Sequence, residues 1–193
     1  VHTHDVPTAA RVLLFATAAL WVVVEVRQST VRRTGTRVAD RGSRRVLRAA
    51  TVVGIVLASI AARAAPGLAI GSSATVAWCG LVLMWCGIGL RLWCFRTLGR
   101  YFTFTVQTSG DQPVITDGPY RVIRHPSYAG IMLAVLGIGL LSGNWLSLVA
   151  LVVSVGIGVV YRIDVEDRAL LSDLGDDYRE YAATHKRLVP YLW

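Results

Sequence analysis

Long uninterrupted apolar runs constrain this chain more than any other feature of its sequence. A hydrocarbon core about 30 Å thick is crossed by roughly 20 apolar residues in helical form. Five segments reach or approach that length, at residues 9–26, 46–64, 74–95, 127–142 and 144–161. The first is apolar apart from Arg11 and Glu25 near its ends, and it lacks a small-residue cleavage site. It is therefore expected to stay as a span rather than be removed as a signal peptide. Only Gly143-Asn144 separates the last two, which predicts a tight turn and an antiparallel helical hairpin. Composition agrees: of 193 residues, 54% are hydrophobic and 17% charged, against about 25% charged in a soluble domain. So much apolar surface has no core to fill in a chain of this size. The expected fold class is all-α, an integral membrane protein with about five transmembrane helices. A disordered chain, a collagen-like chain and a disulfide scaffold are excluded on the same grounds.

A net charge of +8 on a soluble chain would suggest nucleic acid. Its distribution argues otherwise. Residues 27–48 hold Arg27, Arg32, Arg33, Arg37, Arg41, Arg44, Arg45 and Arg48 against the single acid Asp40, so this segment carries nearly all the excess. With five spans, it falls on the same side as residues 96–126 and the 162–193 tail. Lysine and arginine mark the cytoplasmic side, so these three segments are expected there, with the N-terminus outside. The arginine-rich segment reads as a topology signal that also touches anionic lipid.

Small residues recur where helices in lipid must approach closely. Gly139 with Gly143, and Ser154 with Gly158, are the expected close-packing pairs. Cys79, Cys86 and Cys94 all lie on the third span at spacings of seven and eight. About ten ångströms of helix axis separates neighbours, so they neither bridge nor gather a metal, and packing is their expected role. Gly87-Ile88-Gly89 and Gly156-Ile157-Gly158 sit inside spans and lack the strand and downstream acid of a dinucleotide fingerprint.

Polar chemistry collects in two stretches. Residues 99–128 are polar, aromatic and rich in turn formers, and they run straight into the fourth span. Pro126 suits the first turn of that helix, whose N-terminus presents free backbone N–H groups beside His125. Two readings stand: a site for a carboxylate or phosphate, or a capped helix start with interfacial Tyr120, Arg124 and Tyr128. The second stretch, 162–193, holds seven of the twelve acids. At helical spacing Glu166 falls on one stripe with Ile163 and Leu170, where a carboxylate needs a reason to be. An Arg162–Glu166 surface pair is one explanation, although Arg before Glu is the weaker orientation. Arg162 snorkelling at the interface is another. Tyr191 and Trp193 read as an aromatic anchor.

Taken in order, the polar residues resemble those of a known family. They are Gly118-Pro119-Tyr120, then Arg124-His125-Pro126-Ser127-Tyr128 with Gly130. Arg162-Ile163 with Glu166-Asp167 follow, then Tyr178 and Tyr181, and last Arg187-Leu188-Val189-Pro190 and Trp193. The set resembles the isoprenylcysteine carboxyl methyltransferases, relatives of the phospholipid N-methyltransferases, over roughly residues 99–193. The resemblance implies a division into N-terminal spans, 1–98, with the arginine-rich loop, and a catalytic region, 99–193, that binds its cofactor on the cytoplasmic side. It implies S-adenosylmethionine as cofactor, without a Rossmann domain. Tyr120, His125, Pro126, Ser127 and Tyr128 would line the cofactor pocket. Gln112, Pro113, Val114 and Ile115 would give backbone contacts, Gln107 would border the cofactor, and Glu166 would hold a polar part of it. Arg162 would take the substrate carboxylate, which makes Arg162 and Glu166 the implied catalytic pair. Gln112 stands where the family often has histidine, and Asp167 where many relatives have a second glutamate.

Methyl transfer from a sulfonium mainly needs alignment of acceptor and methyl, and a carboxylate is ionised near neutral pH. Arg162 could orient such an acceptor by a bidentate contact. The expected acceptor is a lipophilic small molecule or lipidated substrate, met among membrane lipids, with no metal and no nucleic acid; a monomer is compatible. Arginine, alanine and valine usage points to the cell membrane of a high-GC bacterium. Alternatives are a phospholipid or small-molecule N- or S-methyltransferase, a membrane NADPH-dependent reductase, and a non-catalytic membrane protein.

Overall fold

The apolar runs form helices because lipid offers the backbone no hydrogen-bond partner, so each run must satisfy its own amides. The computed structural model describes residues 8–29, 37–38, 40–71, 74–101, 107–108 and 113–193. Five helices follow in order: α1 (Thr8–Ser29), α2 (Ser43–Ala64), α3 (Ala74–Leu98), α4 (Pro126–Leu141) and α5 (Trp145–Thr184). They correspond one for one to the five expected segments. α2, α3 and α5 are long and apolar enough to cross a membrane, and α4 is a shorter apolar helix.

α5 departs from expectation in length. At 1.5 Å per residue its 40 residues extend about 60 Å, twice the hydrocarbon thickness. Residues 145–161 carry no charge, whereas 162–184 are dense in acids and arginines. The spanning part is therefore 145–161, and the helix projects beyond it as far as Gly175, whose φ of 57° and ψ of −125° interrupt it.

α3 packs along α4, and α2 along α5. The α3–α4 seam is made of glycine backbones. A Cβ on Gly87 would stand 2.4 Å from the Gly130 carbonyl oxygen, and one on Gly137 would stand 2.4 Å from that of Gly80. Of the expected small-residue pairs, Ser154 and Gly158 do meet α2, at Gly54 and at Leu47 and Ala50. Gly139 lies against Leu148 within the hairpin. Gly143 is corrected: its φ of 69° places it in the turn before α5, with nothing near its Cβ position, so it packs no helix. The thiols are corrected too, because Cys94 alone is buried while Cys79 and Cys86 face outward.

One end of the bundle is closed by backbone. The Ile70 amide donates to the Gly143 carbonyl (2.8 Å), and Asn144 Nδ2 donates to the Ala65 carbonyl (2.7 Å). The Asn144 side chain caps α5 by accepting from the Ser147 amide at 3.0 Å. The opposite end gathers the polar stretches. There a two-residue ladder pairs β1 (Arg37–Val38) antiparallel with β2 (Gln107–Thr108), tying the arginine-rich segment to the 99–128 stretch. Residues 30–36 and 39 of that segment lie outside the described residues.

Candidate functional site

The approach to the site begins at Gly118, whose φ of 55° is strained for a residue with a side chain. A Cβ there would also come within 2.9 Å of Thr97 Oγ1. The turn sets Pro119 and Tyr120 inward, both buried. Tyr181 from α5 reaches across and donates its hydroxyl to the Tyr120 carbonyl at 2.6 Å. The tail then runs beside the following residues: the Arg124 amide donates to the Lys186 carbonyl (2.8 Å), and the His125 amide to that of Arg187 (2.9 Å). His125 is thus fixed as the residue that opens α4, with Pro126 in its first turn.

Asp167 is the hub beneath this segment. Its Oδ1 accepts from the Tyr178 hydroxyl (2.6 Å) and lies 2.8 Å from His125 Nε2. Its Oδ2 accepts from Arg187 Nε (2.9 Å) and Arg124 NH1 (3.3 Å). Burial by itself would raise the pKa of this carboxyl. The hydrogen bonds and charges of His125, Tyr178 and Arg124 outweigh it and lower the pKa to about 2. An ionised carboxylate only accepts, so His125 carries its proton on Nε2. Tyr178 is pushed far above the usual phenol range, by burial first and by Asp167 second, and stays a donor.

A second constellation adjoins the first. The Tyr128 hydroxyl accepts from Arg162 Nε (2.7 Å) and donates to Glu166 Oε2 (2.6 Å). Glu166 and Arg162 are therefore coupled through a phenol rather than paired at the surface. Arg162 is 5% exposed, which removes both the surface-pair and the snorkelling explanations. Its NH1 donates to Asp40 Oδ1 and to Ser43 Oγ, each at 3.1 Å.

A third set lies deeper. Arg91 on α3 makes a bidentate pair with Glu25 of α1, whose Oε1 also accepts from Trp21 Nε1 at 2.9 Å. Arg91 NH1 donates to Ser127 Oγ at 2.5 Å. Ser127, expected to line a cofactor pocket, is engaged with this arginine.

The structure thus brings together Tyr128, Arg162 and Glu166, and stands His125 beside Tyr128 with ring centroids 5.8 Å apart. Val114 and Ile115 are half-buried in the irregular segment leading to Gly118. Gln107 falls within β2, and Gln112 lies outside the described residues. Sequence reasoning leaves out Asp40, Ser43 and the Arg91–Glu25 pair, and it treats Asp167 only as a departure from the family. For Arg91 a signal existed: Glu25 is the single acid within the expected spans, and an arginine inside lipid requires one.

An α-helical bundle with apolar flanks and a polar site at one end defines an integral membrane protein of the multi-span class. Residues 75–176 match the phospholipid methyltransferase (PEMT) family, and the chain belongs to it. Protein-S-isoprenylcysteine O-methyltransferase B of Arabidopsis thaliana is 31% identical over 115 residues, covering 58% of each chain. Protein-S-isoprenylcysteine O-methyltransferase of Schizosaccharomyces pombe is 37% identical over 85 residues, covering 43% of this chain and 36% of its own. The chain therefore spans less than two thirds of the length of these curated relatives. Among solved structures, the eukaryotic intramembrane Ras methyltransferase, an isoprenylcysteine carboxyl methyltransferase, is similar with a TM-score of 0.60 and 28% identity. That similarity covers 75% of this chain and 52% of that one.

Proposed function

We propose that the chain is a membrane-embedded, S-adenosylmethionine-dependent methyltransferase acting on the carboxylate of a lipophilic acceptor, an isoprenylcysteine-like O-methylation. The observation that carries the reading is the Arg162–Tyr128–Glu166 constellation, placed at one end of an apolar bundle inside the family match. The catalytic region is 99–193, and we assign the polar end to the cytoplasmic face of a bacterial membrane on its arginine bias.

The residues present suit such a donor. Glu166, half-buried with Oε2 held by Tyr128, offers a carboxylate to the ammonium or ribose hydroxyls of a cationic nucleoside. We assign the backbone of Val114 and Ile115, with Tyr120, His125 and Pro126, to the wall that would hold it. Bound there, S-adenosylmethionine would supply a methyl on a sulfonium, which an acceptor oxygen would take as the carbon–sulfur electron pair passed to sulfur, with no proton to move. The work left to the chain is orientation. Arg162 presents its guanidinium toward the acceptor, and Tyr128 fixes the plane of that guanidinium through Nε. Surrounding apolar helix faces admit a lipid tail laterally.

The test is calorimetric binding of S-adenosylmethionine and S-adenosylhomocysteine to detergent-purified protein, followed by transfer of labelled methyl to N-acetyl-S-farnesyl-cysteine. Arg162→Ala and Glu166→Ala should each remove most turnover. Absence of nucleoside binding, or wild-type rates in both variants, sinks the proposal. A phospholipid amine acceptor is the second reading, favoured by Asp40 and Glu166 outnumbering Arg162 in charge. Base-labile label identifies the ester, and base-stable label the amine.

A further inference from the structure

Asp40 is the lone acid among eight arginines in residues 27–48, yet its carboxylate turns to the bundle. Its side chain is 12% exposed. Oδ2 accepts from the Arg44 amide at 3.3 Å, near the start of α2. Oδ1 accepts from the Ser43 hydroxyl (2.9 Å) and from Arg162 NH1 (3.1 Å), which lies 122 residues away in sequence. Ser43, fully buried, accepts from the same NH1. Residue 40 lies outside the 75–176 family match, so this partner comes from a part of the chain which that match does not reach.

Capping a helix takes an acceptor oxygen and no charge. A buried guanidinium takes both, because an unbalanced charge there is costly. Here Asp40 meets the arginine assigned to the acceptor at hydrogen-bond distance, whereas Glu166 reaches it through the Tyr128 hydroxyl. That balance matters for chemistry. An acceptor carboxylate loses its charge as its oxygen bonds the methyl carbon and the carbon–sulfur pair goes to sulfur. A full positive charge on Arg162 would favour the ionised ground state over the transition state, tightening binding while slowing transfer.

We propose that Asp40 is a positioning residue for methyl transfer: with Ser43 it fixes the Arg162 guanidinium and offsets its charge, so the acceptor meets oriented donors with little net positive charge. This rests on the reading that Arg162 faces the acceptor carboxylate.

The test is Asp40→Asn in the full chain, which keeps a capping oxygen and removes the charge. N-acetyl-S-farnesyl-cysteine is the acceptor probe. Its KM and kcat should both fall, by about tenfold, the size of one charge-assisted contact. Its Kd, measured by calorimetry with S-adenosylhomocysteine present, should fall in parallel, and affinity for S-adenosylhomocysteine itself should not move. Asp40→Glu should return KM toward wild type, and Asp40→Ser repeats the test should Asn disturb the fold. Unchanged KM and Kd, with kcat lowered only as far as the folded fraction falls, would reduce Asp40 to a helix cap and overturn the inference. Wild-type kinetics in Asp40→Asn beside an inactive Arg162→Ala overturns the inference alone. Wild-type turnover in Arg162→Ala overturns the underlying reading, and this inference with it.

Discussion

Asp167→Asn is the perturbation whose cost follows most directly from the geometry. Four donors converge on that carboxylate, two on each oxygen: His125 and Tyr178 on Oδ1, Arg124 and Arg187 on Oδ2. The folded pKa of about 2, against an ordinary value of 3.8, corresponds to roughly 2.5 kcal/mol of stability at neutral pH. Because the folded value is depressed, that contribution is complete above about pH 4. It is lost as pH falls from there toward 2. Asparagine forfeits it and does further harm, since an amide nitrogen in place of either oxygen would point donors at donors. The expected destabilisation is therefore about 3 kcal/mol at pH 7, within the usual range for breaking a buried charged cluster. For a chain of this size that is a fall in Tm on the order of 6–12 °C. The assay is thermal unfolding of wild type and variant in detergent at pH 7, 4 and 2. The gap should be wide at pH 7 and narrow toward pH 2, where wild type has lost the same charge. A Tm within a degree of wild type at pH 7, or a gap constant down to pH 2, would refute the account of Asp167 as a carboxylate held ionised by its partners.

Two further substitutions probe the scaffold. Gly87→Val drives a side chain into the Gly130 carbonyl and the Ala134 amide, 2.4 and 2.5 Å from the Cβ position. Backbone cannot step aside as a side chain can, so a loss of at least about 3 kcal/mol is expected, read as a lower Tm. Gly89→Ala on the same helix, with nothing near its Cβ position, should be neutral or slightly stabilising. Glu25→Gln leaves the Arg91 guanidinium without its carboxylate and should cost about 3 kcal/mol, while Glu25→Leu combined with Arg91→Leu should cost clearly less than the two single changes together. Additive losses in that thermal-unfolding cycle would mean the pair is not coupled.

How much of this architecture the sequence exposes depends on which physical demand is met locally. The spans are legible because lipid imposes a length on every one of them, and the hairpin is legible because two spans with a two-residue link have no other route. Helical spacing past Tyr161 is legible in Arg162, Ile163, Glu166 and Leu170, but that this helix continues the fifth span without a break is not, since the apolar run stops there. The α3–α4 seam is hidden as well. Gly80, Gly87, Gly130 and Gly137 are four among 18 glycines, and only the partner backbone, 2.4–2.9 Å from the Cβ positions, distinguishes them. Gly143 carries two sequence readings, packing by its spacing from Gly139 and a turn by its place before Asn144, and its backbone angle bears out the turn.

The site divides on the same principle. His125, Tyr128, Arg162 and Glu166 announce themselves through short spacings that place them at helix starts and on one stripe. Their partners do not, because charge balance is settled in three dimensions. Arg162 finds Asp40 from 122 residues away, and Arg91 finds Glu25 from 66. Yet the balance itself constrains the search. Once the arginine-rich segment is set aside as solvated, few ionisable groups remain near the bundle, and each cation enclosed there must claim a carboxylate. Glu25 is the sole candidate along the spans, and Asp40 is the sole acid beside the start of α2. Asp167, standing one residue from Glu166, points in another direction from α5 and locks the loop, leaving Glu166 to Tyr128. Adjacent acids on a helix point about 100° apart, so one serves the scaffold and the other the site. That division is why Asp167→Asn is expected to register in stability and Glu166→Ala in turnover.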